Sequence, residues 1–110
     1  MGSKILVIVS TGDKDTVLSA LMYAGAAIRN KWMDDVKVIY LGPSEILMVK
    51  DEAVAAKVRE INEASLCYAC QTISDREGIS EKISEMGLQV ELVGARVSDL
   101  IKNGYVPLVW

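Results

Sequence analysis

The two cysteines of this 110-residue chain lie three apart, in SLCYACQTISDREGI from Ser65 to Ile79. Cys67 and Cys70 end an apolar run and stand immediately before a helical pattern. That placement admits a metal clasp, a dithiol redox pair, a single reactive thiol or buried filler. A metal site needs more ligands than one CxxC provides. With histidine absent and only two cysteines, carboxylates alone could complete the set, so no metal is expected. A CxxC at a strand-to-helix junction is also how a thioredoxin-like site reads, because the helix start favours a thiolate and the second cysteine resolves the mixed disulfide. Against that, the pair falls in the third βα unit, and the two prolines, Pro43 and Pro107, offer no equivalent of the proline loop that faces a thioredoxin disulfide.

The two thiols differ in position. Free cysteine is among the most buried residue types, and Cys67, read as lying inside a strand, fits as a small core hydrophobe. Cys70 falls where the strand hands over to the helix, with unpaired backbone N–H groups pointing toward its sulfur. A single thiolate with no resolving partner suits covalent carriage of a group, including a sulfane sulfur held as a persulfide.

Elements that must position these residues follow from the hydrophobic pattern. KILVIVS, Lys4 to Ser10, is a continuous β-branched run of the kind found in a strand buried on both faces. Ser10 to Asp13 make a turn with capping chemistry, and the periodicity of Val17, Leu18, Leu21, Met22, Gly25 and Ile28 predicts a helix over 14–31. VKVIYLG is a second strand, closed by Gly42-Pro43. Ser44 opens a helical region that Lys50-Asp51 could break in two. Residues 65–69 read as a third strand, 71–86 as a helix interrupted at Gly78, LQVELVG as a fourth strand, 97–102 as a short helix and 105–109 as a fifth strand. Strands alternating with helices imply one α/β domain over 1–110, with a parallel sheet covered on both faces. The crevice outside the carboxyl ends of such strands is the expected functional region. Four segments line it: Ser10 to Asp13, Gly42 to Ser44, Cys67 to Gln71 and Gly94 to Arg96.

Composition narrows the function classes. The chain is 51% hydrophobic and 25% charged, with a net charge of -3, and the charge is spread along both halves without a basic patch, so nucleic acid is not an expected partner. No apolar run approaches the roughly 20 residues of a membrane span, and ILVIVS reads as a strand rather than a signal peptide. Two neighbouring cysteines do not staple a fold, and the expectation is a protein of the reducing cytoplasm without membrane insertion.

Cys70-Gln71, Asp75, and Gly78-Ile79 at eight and nine residues past the cysteine together resemble the active-site segment of the DsrE/DsrF/TusD-like sulfur-relay family, closest to its peroxiredoxin-like DsrE subgroup. KILVIVSTGDKDTVLSALMYAGAA is similar to that family's first βα unit, and VGARVSDLIKNGYVPLVW to its closing helix and strand. The resemblance implies a three-layer α/β/α sandwich on a mostly parallel five-stranded sheet. It further implies a sulfurtransferase-like carrier, in which Cys70 accepts a sulfane sulfur or thiosulfonate group and passes it to a partner protein's cysteine. No cofactor is implied. Sulfur donor and acceptor proteins are the implied partners, with assembly into a homo-oligomer. Trp32, Met33, Met48 and Leu108 to Trp110, apolar beyond what the helix faces require, agree with such assembly.

In that reading Cys67 is packing or an auxiliary thiol. Ser10 and Thr11 as donors, Lys14 and Arg96 as cations, and Gln71 could line the crevice. The plainer reading makes Ser10, Thr11 and Asp13 helix caps, and Lys14 and Arg96 solvated charges. Two other functions stand beside the carrier: a dithiol oxidoreductase using Cys67 and Cys70, and a non-catalytic module binding a nucleotide or small anion over Ser10 to Lys14. The second lacks the glycine spacing of a dinucleotide or P-loop site.

Overall fold

KILVIV forms the first strand, β1 (Lys4–Val9), with Leu6, Val7 and Val9 wholly buried, as befits a strand covered on both faces. The computed structural model describes residues 3–110. After β1 come α1 (Lys14–Arg29), β2 (Asp35–Tyr40), α2 (Pro43–Lys50), α3 (Glu52–Ala64) and β3 (Tyr68–Cys70). The chain continues through α4 (Gln71–Arg76), α5 (Ser80–Glu85), β4 (Gln89–Glu91), α6 (Val93–Lys102) and β5 (Tyr105–Val109). All pairings are parallel, in the order β4-β3-β2-β1-β5. The expected α/β/α sandwich with a five-stranded sheet is the observed architecture.

Coverage of the two faces is unequal, and topology is the reason. The chain steps from β1 to β2, β3 and β4 in one direction, and right-handed crossovers place every helix of that run on the same face. Ile5, Val7, Val9, Val36, Val38, Tyr40 and Ala69 point into that side, where Val17, Leu21, Met48, Val54, Val58, Ile61 and Ile83 meet them. Only the return from β4 to β5 crosses the other face, where α6 lays Val93 and Leu100 on Leu6, Ile39 and Tyr68. Ile8, Leu41, Cys70 and Val97 border this smaller core and are only partly buried.

Several boundaries differ from those the pattern predicts. α1 stops at Arg29 rather than Lys31, because Lys31 takes a left-handed φ of 54° and Trp32 N–H turns back to the Ala27 carbonyl. The third strand is Tyr68–Cys70, not 65–69. Ser65 is the C-cap of α3, and Cys67 N–H is drawn to Asn62 Oδ1 at 2.9 Å, so Cys67 precedes the strand instead of lying inside it. α6 begins at Val93, which places Gly94 to Arg96 in its first turn and not in a loop before a helix at 97. The breaks at Lys50-Asp51 and Gly78 are present: Asp51 caps α3 by accepting from Val54 N–H, and Gly78 sits at φ 70° between α4 and α5. Met48 is a core residue, only 1% exposed, which removes it from the apolar surface expected to mediate assembly.

Candidate functional site

Cys70 is the last residue of β3 and the N-cap of α4, half-buried at the carboxyl end of the sheet. Its backbone is extended, φ -72° and ψ 116°, and the chain turns into the helix directly after it. The helix it opens is short. Gly78 limits α4 to six residues, so only the N–H groups of its first turn lie beside Cys70, without a long helix aligned behind them. The α4–α5 junction is held by polar side chains. Ser74 Oγ and Ser80 Oγ share a hydrogen bond of 2.7 Å, and Ser80 Oγ also donates to Asp75. Asp75 is thereby engaged with Ser80, while its neighbour Arg76 pairs with Glu77.

Side chains three apart along an extended segment point to opposite sides. Cys67 accordingly joins the core beneath α1, α3 and α5, whereas Cys70 borders the core beneath α6. Cys67 is wholly buried, its Sγ donates to the Ser65 carbonyl at 3.0 Å, and burial pushes its thiol up to about 12. A bond between the two sulfurs would have to cross the plane of the sheet.

Parallel register places Glu91 of β4 beside Cys70 and Gln89 beside Tyr68. From the first turn of α6, Arg96 reaches back to Glu91 with Nε at 2.9 Å from Oε2 and Nη2 at 3.3 Å from Oε1. The guanidinium also lies 4.7 Å from the centre of the Tyr68 ring. Arg96 is therefore not the free solvated charge of the plainer reading: the Glu91 carboxylate holds its proton more tightly still, and the ring of a buried tyrosine supports it from below.

The other expected lining residues are occupied elsewhere. Ser10 Oγ donates to the Trp110 carbonyl, Thr11 Oγ1 accepts from Asp13 N–H, and Asp13 caps α1 through Thr16. Those Thr16 bonds hold the Asp13 carboxyl below its usual range. Lys14 Nζ reaches Asp51 at 3.0 Å. These residues follow β1, and β2 lies between β1 and β3, so two strand spacings, roughly 10 Å, separate them from Cys70. Gln71, exposed at the first position of α4, remains adjacent to the thiol, and its carbonyl accepts from Ser74 Oγ. The structure thus sets Gln71 beside Cys70 and links Arg96 to it through Glu91, the strand neighbour of Cys70, and sets Ser10, Thr11 and Lys14 apart. Neither the recess of about 460 Å³ between the α2–α3 junction and α5 nor the one of about 330 Å³ around Glu91, Ala95, Arg96 and Asp99 is lined by Cys70. Among the described residues, no group of three or more Cys, Asp or Glu side chains could hold a metal ion.

Two acidic residues escape sequence reasoning, one beside Cys70 and one under the opposite face. Glu91 becomes visible only through strand register, since it lies five residues before Arg96 across a strand–helix junction and matches no helical spacing. Glu45 is wholly buried in the first turn of α2, where Oε2 accepts from Gly42 N–H at 3.0 Å and Oε1 has no partner among the described residues. Burial pushes its carboxyl up to about 7 against the lowering effect of that N–H. Gly42-Pro43-Ser44-Glu45 carries the only sequence signal for it, a glutamate three positions past a helix cap.

No family model and no curated protein matches the sequence. Among solved structures, a conserved protein of unknown function from Bacteroides thetaiotaomicron is similar, with 27% identity, a TM-score of 0.88, and coverage of 97% of this chain and 95% of that one. The two share the whole fold, end to end.

Proposed function

We propose that this chain is a single-thiol sulfur carrier of the DsrE type, with Cys70 as the residue that holds the cargo. The observation supporting this reading is the separation of the two cysteines: Cys70 is reachable at the carboxyl end of β3, while Cys67 is sealed in the opposite core with its thiol pushed up to about 12. One available thiol without a resolving partner suits group carriage better than dithiol redox chemistry.

In the loading step the Cys70 thiolate attacks a sulfur of a polysulfide or thiosulfonate-bearing donor. The new Sγ–S bond forms as the donor's S–S bond breaks, and the electron pair leaves with the departing sulfur; with tetrathionate, Cys70 keeps an –S–SO₃⁻ group and thiosulfate departs. In the unloading step a partner thiolate attacks the sulfane sulfur and Cys70 leaves as thiolate. Neither step consumes an external oxidant or reductant, and neither requires a base once the thiolate is present. The cytoplasmic location and the homo-oligomer belong to the same proposal; exposed Trp32 and Val109 agree with an assembling surface.

Intact mass after treatment of the reduced protein with polysulfide or tetrathionate tests the reading. Adducts that are removed by reductant, persist in Cys67→Ser and vanish in Cys70→Ser are the expected result. Loss of two hydrogens requiring both cysteines would replace the carrier with the dithiol reading.

A further inference from the structure

The group nearest in register to Cys70 is an acid, Glu91, and side chains of paired residues in a parallel sheet project from the same face. Strand spacing puts the two backbones only about 4.8 Å apart. An unscreened carboxylate there would repel an anionic reagent approaching the thiol. Arg96 answers that charge with both arms of its guanidinium, and the ring of Tyr68, two residues before Cys70 on the same face, fixes it from a second direction. Asp99, one turn further along α6, adds a second carboxylate to the same recess. Arg76 is engaged with Glu77, and Lys14 is paired with Asp51 beyond β2. The first turn of α4 carries no acid.

We infer that Arg96 screens Glu91 beside Cys70 and so admits anionic sulfur donors to that thiol, which makes it a specificity-determining residue for the reaction proposed above. The inference rests on Cys70 being the working thiol. It assigns Arg96 a charge role that acts on the approaching reagent, with Glu91 as the opposing group and Tyr68 as the platform. Like charges a few ångströms apart near a protein surface change the rate with a charged reagent several-fold, and a reagent without charge is indifferent to them.

The test is the rate of Cys70 modification by an anionic and a neutral reagent of matched size, iodoacetate and iodoacetamide, at one pH and low salt. Taking the ratio of the two rates cancels the thiolate fraction and general access. Arg96→Gln is expected to lower the iodoacetate-to-iodoacetamide ratio by about fivefold, Glu91→Gln to raise it by a similar factor, and the double variant to return it toward that of the unaltered protein. Arg96→Lys, which keeps the charge but loses the fork and the stacking, should retain most of the ratio. Tetrathionate and a neutral organic trisulfide are then compared as sulfur donors, with the same directions expected. A ratio that stays within twofold in both single variants overturns the inference, as does Arg96→Lys behaving like Arg96→Gln. If Cys70 takes sulfur from neither donor while the alkylation ratio shifts as expected, the carrier reading falls and the electrostatic assignment stands.

Discussion

The sheet face under α1, α2, α3 and α5 and the face under α6 differ in what they leave reachable. On the first, strand residues meet four helices, and even the thiol of Cys67 is sealed. On the second, one helix of ten residues spans the sheet, and Ile8, Leu41, Cys70 and Val97 stay partly open around a core of five buried side chains. The same residue type has therefore been placed in two environments within four positions of the chain. Reactivity here is decided by which face a side chain joins, and direction of crossover decides the faces.

The sharpest way to break this comparison is thiol labelling. Native protein should react with iodoacetamide once, at Cys70, and twice after denaturation; comparable labelling of Cys67 in the native state would mean that the two faces are equally open. A second test compares packing. Leu21→Ala on the buried face of α1 should cost about 2–5 kcal/mol in chemical denaturation, as for a fully buried leucine. Val97→Ala on α6 should cost about 1 kcal/mol or less, since that side chain is only partly buried and removes less surface from water.

Glu45 gives the densely covered face a pH signature. Its carboxyl is held up at about 7 by burial, above the 4.5 of a free glutamate, so the folded state binds the proton more tightly than the unfolded chain does. Stability should then fall as pH rises from about 4.5 to 7, by as much as about 3 kcal/mol, and level off above that range. Equilibrium denaturation across pH 4.5 to 8 should show the slope, and Glu45→Gln should flatten it. A small effect is expected at Gly78. Its φ of 70° disfavours any side chain, although nothing lies within 4 Å of the position a methyl group would take, so Gly78→Ala should cost about 1 kcal/mol from backbone strain alone. A thermal melt should register that loss with Cys70 labelling unchanged; a loss several times larger would show that the α4–α5 turn does more than reverse the chain.

Much of the framework is legible in the residues themselves. The unbroken apolar run from Ile5 to Val9 is a buried strand because few other structures accommodate five such residues with no polar face. Asp51 ends one helix and starts the next because its side chain competes for the backbone N–H of Val54. Gly78 interrupts a helical pattern for the conformational reason just given. The start of α6 was not legible in the same way: its N-cap is Leu92, which has no capping side chain, so no polar residue marks where the helix begins, and Gly94 argues locally for a loop. Cys67 reads as a strand residue because its apolar neighbours do, while Asn62, five residues earlier, withdraws its N–H from the ladder.

Sequence alone determined that this is a parallel α/β protein with two cysteines at its third strand, because hydrophobic period, cap residues and glycine conformations act over a few residues and can be read over a few residues. That the two thiols join opposite cores, that Lys14 is spent on Asp51, and that Glu91 stands beside Cys70 with Arg96 on its carboxylate were decided by the tertiary structure. Those relations join residues across strands and helices, and they depend on register and on the hand of the crossovers, which no local pattern in the chain encodes.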